Sequence, residues 1–178
     1  SWHVLGEVDI PVSSTADLLW TDQQLLLAIH PSRGPADWRT STDGRQWVAI
    51  EDESFQGIDA GLALVWTGTE AVVSVTATPD ASGQQRDQLL FWHPGRMTWR
   101  RSRPTSEPFP SLEATWTGSE LIMFGRGDRV LAYDPAIDQW LTVAPFDDVE
   151  RETPTVVWAD DRLLVWGGGG PGTGSRRA

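Results

Sequence analysis

The sequence predicts an all-β fold of repeated, four-stranded antiparallel units. Three observations carry that expectation. First, one set of tryptophans, Trp20, Trp66, Trp116 and Trp158, recurs at spacings of 46, 50 and 42. Second, another set, Trp2, Trp47, Trp99 and Trp140, precedes the first by 18, 19, 17 and 18 residues. Chance placement of 11 tryptophans would seldom hold so constant a phase. Third, no stretch shows convincing helical periodicity, whereas short apolar runs bounded by Gly, Pro and Asp recur throughout, as buried strands do.

Each unit resolves into four strands. The first carries a tryptophan of the first set: Leu19-Trp20, Val65-Trp66, Thr115-Trp116 and Val157-Trp158. A short polar turn follows. The second strand is an apolar run too short for a helix: Leu25–Ile29, Ala71–Val75, Leu121–Phe124 and Leu163–Trp166. A third strand ends at Gln88–Trp92 or Arg129–Tyr133, and a fourth starts at the second-set tryptophan. Four strands per repeat of about 40–50 residues is the pattern of β-propeller blades. The expected units are 3–47, 48–99, 100–140 and an incomplete 141–178, within a single region spanning 1–178 and closing in a glycine-rich tail, 167–178.

At these residues the chain resembles the kelch-repeat β-propellers. The best unit runs Ala114-Thr115-Trp116-Thr117-Gly118-Ser119-Glu120-Leu121-Ile122-Met123-Phe124-Gly125, then Tyr133-Asp134-Pro135 and Trp140. Trp158 through Gly167-Gly168 keeps the glycine pair, and Trp92-His93-Pro94 with Trp99 repeats the Tyr–Trp spacing of seven. The earliest unit departs from the pattern with Ile29-His30-Pro31 in place of the glycines. Its Ser41-Thr42-Asp43-Gly44-Arg45-Gln46-Trp47 looks like the Asp-box turn of sialidase-type propellers. The resemblance implies that Trp2, Trp20, Trp47, Trp66, Trp99, Trp116, Trp140, Trp158, Tyr133 and Asp134 are structural repeat residues, the tryptophans packing between blades. Each blade would bury its faces only against neighbours.

Composition excludes much chemistry. The 178 residues contain no cysteine, lysine or asparagine, and arginine supplies all 14 basic residues, as in high-GC genomes of bacterial type. Disulfides, thiolate metal sites, Schiff bases, a P-loop lysine and N-glycosylation are excluded. The cross-linked Tyr–Cys cofactor of copper-radical oxidases on kelch propellers cannot form. The net charge of −11 opposes nucleic-acid binding. No apolar run is long enough to span a membrane. A first residue of Ser rather than Met suggests a mature or excised chain, with an extracellular or cell-envelope setting preferred to a cytoplasmic one.

The histidines His3, His30 and His93 are dispersed and do not form a metal-ligand spacing. His93 occupies the repeat position of Asp134, in a turn at a strand end. His30 lies where inter-blade loops emerge and is a candidate binding residue. Acidic clusters at Glu51–Glu53, Asp147–Glu152 and Asp160-Asp161 lack a calcium-loop pattern and read as solvated loops. The segment Gly167–Gly172 fits G-x-G-x-x-G formally, but Pro171 and the lack of a following helix exclude a dinucleotide site. The loop 76–88, with Gln84 and Gln85, is the other binding candidate. No cofactor is expected.

The sequence therefore points to a non-enzymatic binding or scaffold propeller offering loops to a protein, peptide or glycan. Alternatives are an accessory or partial propeller of a glycan-active enzyme, with catalytic residues outside this chain, and a self-assembling structural module. About four repeats are fewer than the six or seven that kelch propellers usually close with. A ring completed by further sequence, or by association with other chains, is therefore expected.

Overall fold

A computed structural model describes residues 8–31, 34–51, 58–77, 83, 87–105, 109, 113–124, 130–143 and 154–167. Among these residues there is no helix; all regular structure is antiparallel β-sheet. The first sheet comprises β1 (Thr15–Trp20), β2 (Leu25–His30), β3 (Asp37–Ser41) and β4 (Val48–Ala49). The second comprises β5 (Ile58–Trp66), β6 (Ala71–Ala77), β7 (Gln88–His93) and β8 (Thr98–Arg101). The third comprises β9 (Glu113–Trp116), β10 (Leu121–Phe124), β11 (Val130–Asp134) and β12 (Gln139–Val143). A two-stranded ribbon, β13 (Thr155–Ala159) with β14 (Arg162–Trp166), follows. In each four-stranded sheet, spatial order follows chain order. No closed ring is formed among the described residues.

One hairpin design joins the first two strands of every four-stranded sheet. Trp20, Trp66 and Trp116 each end a strand and precede a threonine. The threonine N–H donates to the carbonyl three residues on, at 3.0 Å in Thr21–Gln24, Thr67–Glu70 and Thr117–Glu120. The threonine Oγ1 donates to that same carbonyl and accepts the N–H of that same residue. The backbone turns by placing the next residue at positive φ: Asp22 at 61°, Gly68 at 95°, Gly118 at 105°. Glycine reaches this region without a Cβ clash, and aspartate tolerates it better than most residues. In the last ribbon Asp160 takes the same place at 54°.

The spacing of seven also has a local cause. Tyr133 pairs directly across from Trp140, and Trp92 from Trp99, so each pair brackets a tight turn. Met97 and Asp138, each five residues after the leading aromatic, hold φ near 54° and 53°. The first sheet turns differently. Asp43 Oδ1 accepts the N–H groups of Arg45 and Gln46 at 2.8 and 2.9 Å, and Ser41 Oγ accepts that of Gly44 at 2.9 Å. Side-chain oxygens thus close this turn.

The sheets stack face to face, and alternation along each strand decides which neighbour a residue meets. Leu26, Ala28 and Trp38 of the first sheet pack against Ala71, Val73, Leu90 and Trp92 of the second. The other face of the second sheet, with Val72, Leu89 and Phe91, packs against Leu121, Met123, Leu131 and Tyr133 of the third. Phe124 and Val130 then meet Val156 of the last ribbon. Polar contacts also cross the first junction: Trp66 Nε1–H donates to Asp22 Oδ2 at 2.7 Å, and Gln24 Nε2–H to the Pro94 carbonyl at 3.3 Å and to Met97 Sδ at 4.0 Å.

These turns make stability pH-dependent. The N–H groups of Gln46 and Arg45 hold the Asp43 carboxyl below its ordinary value. Those of Arg103 and the Tyr133 hydroxyl do the same for Asp138. A carboxyl depressed on folding adds stability above its unfolded pKa of about 3.9, and that stability is lost as pH falls through the folded value. The thermal midpoint is expected to drop as pH is lowered below about 4. Asp138→Asn should flatten that drop, as measured by calorimetry across pH. An unchanged acid profile in this variant would contradict the assignment.

Candidate functional site

The first strands of successive sheets, β1, β5 and β9, lie side by side. A cleft of about 330 Å³ opens along them, lined by Asp17, Leu18, Ala63, Leu64, Val65, Glu113 and Ala114. Its geometry follows from the strands. Register slips in β5 between Asp59, Gly61 and Leu64, and Ser74 Oγ accepts the displaced Ala63 N–H at 2.8 Å. The strand thereby lies between two carboxylate-bearing neighbours, and the surface it offers there is mostly polar. Burial pushes the Glu113 carboxyl above its ordinary range.

His30 belongs to the same neighbourhood. It closes β2 opposite Thr15, and its Nε2 lies 3.1 Å from Asp17 Oδ2. The His30 side chain is about nine-tenths buried, with its ring edge-on to Trp38 at 6.3 Å. Its Nδ1 is buried without a hydrogen-bond partner among the described residues. Asp17 is largely exposed and lines the cleft, whereas His30 holds it from outside the lining residues. Among the described residues no group of three His, Asp or Glu is arranged to hold a metal ion.

The structure disperses the other sequence-derived candidates. Trp66 and Trp116 are partly buried and pack into the two main sheet junctions. Trp99 and Trp140 join the same clusters from the fourth strands. Trp20 is 51% exposed, since no sheet covers its outer side among the described residues. Trp158 is partly buried, and its N–H reaches Thr115 Oγ1 at 3.2 Å. Trp47 follows the Asp43 turn, its Nε1 buried without a hydrogen-bond partner. Tyr133 is fully buried between the second and third sheets. Asp134 caps its turn by accepting the Ala136 N–H at 2.8 Å, and His93 ends β7 at the corresponding position. Trp2, His3, Gln84 and Gln85 lie outside the described residues, as does most of the loop 76–88.

Asp17 and Glu113 were not singled out from sequence, although a signal existed. Each stands three residues before a hairpin tryptophan, at the position Ala63 fills in the second sheet. Reading the repeat at that offset finds the cleft lining, because that position on each first strand faces the same cleft.

No family model matches this chain, and no curated protein does. Among solved structures it is similar to a structure of YjhT, with a TM-score of 0.60 and 12% identity. That similarity covers 89% of this chain and 59% of the other, so this chain spans under two thirds of that one. At such identity the likeness concerns the fold: an all-β protein of successive four-stranded sheets. No helix among the described residues is long and apolar enough to cross a membrane.

Proposed function

We propose that the sheets are blades of a kelch-like β-propeller and that the chain is a non-enzymatic binding module. The observation that carries this reading is the cleft along the first strands: two carboxylates, Asp17 and Glu113, flank a mostly polar surface along β5. Two carboxylates on a mostly polar surface suit a cationic head group, the chemistry of an Arg or Lys side chain in a basic peptide. The net charge of −11 draws such partners and repels anionic polymers.

Titration calorimetry with an Arg-rich peptide, a neutral oligosaccharide and heparin tests the proposal. Binding is expected for the peptide alone. Asp17→Asn and Glu113→Gln should each weaken it about ten-fold, the worth of one hydrogen bond to a charged group. Since Glu113 is raised, affinity should climb as pH rises through a value above the ordinary glutamate range. Substituting His30 or His93 by Gln should change affinity only about a few fold. Preference for heparin, or indifference to both carboxylate changes, would overturn the proposal. A hydrolytic turnover lost about a hundred-fold in His30→Gln would make the chain an enzyme instead.

A further inference from the structure

Sulfur is scarce in this chain: the 178 residues hold two methionines and no cysteine. The two are placed oppositely. Met123 is 0% exposed and packs between the second and third sheets. Met97 is 45% exposed, in the turn joining β7 to β8. That turn fixes its backbone: the Met97 N–H donates to the His93 carbonyl at 2.9 Å, and φ is 54°. Few residues without a short polar side chain accept that conformation. At the corresponding position of the third sheet stands Asp138, whose carboxylate accepts two donors. A thioether offers no such acceptor, and nearly half of Met97 meets water, so burial does not account for it.

What Met97 does touch is the neighbouring sheet. Gln24, in the hairpin between β1 and β2, directs its amide at this turn. Its Nε2–H donates to the Pro94 carbonyl at 3.3 Å, and the same nitrogen lies 4.0 Å from Met97 Sδ. An amide nitrogen carries two hydrogens, so both contacts can be served at once. A thioether sulfur is only a weak acceptor. An oxygen placed on that sulfur is a much stronger one, and it can lie closer to the same amide than the sulfur does.

From this we infer that Met97 is a reversible oxidation site, and that its sulfoxide latches the first sheet to the second through Gln24. The oxidant is a peroxide. A sulfur lone pair attacks the outer peroxide oxygen, the S–O bond forms as the O–O bond breaks, and hydrogen peroxide leaves as water. The sulfur gives up two electrons to the peroxide. A methionine sulfoxide reductase returns two electrons from a dithiol, and the oxygen leaves as water. Oxidation disrupts a fold where the thioether packs among apolar groups, as Met123 does. At Met97 it adds a polar group where water and an amide already stand. Neither Met97 nor Gln24 lines the cleft, so the site does not depend on the binding reading.

Treating the folded chain with hydrogen peroxide and reading each methionine by peptide mass spectrometry tests the site. Met97 is expected to gain one oxygen at least about ten-fold faster than Met123, because oxidation follows exposure. In urea the two rates should converge. The chain oxidised at Met97 should melt about 1–6 °C higher, the worth of one added hydrogen bond in a chain of this size. A methionine sulfoxide reductase supplied with dithiothreitol should reverse the rise. Gln24→Ala should oxidise at Met97 as the parent does and show no rise, and Met97→Leu should melt alike with and without peroxide. Equal rates at the two methionines of the folded chain overturn the site. A midpoint that falls or stays unchanged on oxidation, or a rise that persists in Gln24→Ala, overturns the latch.

Discussion

Trp92→Ala is expected to remove about 3–5 kcal/mol of folding stability, the range for truncating a large buried aromatic. Trp92 is 0% exposed and lies on β7 within the junction of the first and second sheets. Its ring is 6.2 Å from that of Trp99, which meets Trp38 edge-on at 5.3 Å. Truncation would open a cavity bordered by two sheets, and rigid strands on both sides would limit collapse. A loss of that size is a large fraction of the 5–15 kcal/mol typical of a folded domain. Trp92→Phe should cost much less. It keeps an aromatic ring and removes an indole N–H that is buried without a partner among the described residues. Trp20→Ala should cost under about 1 kcal/mol, because half of that side chain already meets water. Urea denaturation of the three variants measures this order. A loss below about 1 kcal/mol for Trp92→Ala would show that the sheets do not pack on one another as described.

The strands were legible in the sequence because their determinants are local. A tryptophan, a threonine and a residue able to take positive φ define the first hairpin of each four-stranded sheet within five positions, and in the last ribbon Ala159 stands in the threonine's place. The Tyr133–Trp140 spacing likewise encodes direct opposition across a turn. Contacts between sheets were less legible. Nothing near Trp66 in sequence announces Asp22, and nothing near Asp17 announces Glu113. Such pairs are set by how neighbouring sheets align, which depends on the sum of many apolar contacts. Composition drew attention to the polar loop 76–88 for the same reason: loops stand out in sequence, whereas a cleft between strands does not.

The same limit applied to Asp138, which gains its importance only in the folded chain. The Tyr133 hydroxyl donates to Asp138 Oδ1 at 2.7 Å, and that oxygen also accepts the Arg103 N–H at 2.9 Å. The Arg103 carbonyl in turn accepts Trp140 Nε1–H at 2.9 Å. One carboxylate thus fixes the linker leaving β8 against the aromatic pair of the third sheet. Burial and the neighbouring carboxylate both push the Tyr133 phenol well above its ordinary pKa, so it stays a donor through the alkaline range. Asp138→Ala strands a fully buried hydroxyl and places alanine at a φ of 53°. An unmet buried hydroxyl costs about 1–3 kcal/mol and the backbone strain about 1 kcal/mol more. The expected total is about 2–4 kcal/mol. Asp138→Asn keeps an acceptor and tolerates the backbone, so about 1 kcal/mol is expected. Tyr133→Phe removes the hydroxyl itself, and combining it with Asp138→Ala should therefore cost less than the two losses added together. Chemical denaturation of the four variants supplies the double-mutant cycle. Strictly additive losses would mean that the hydroxyl and the carboxylate do not depend on each other.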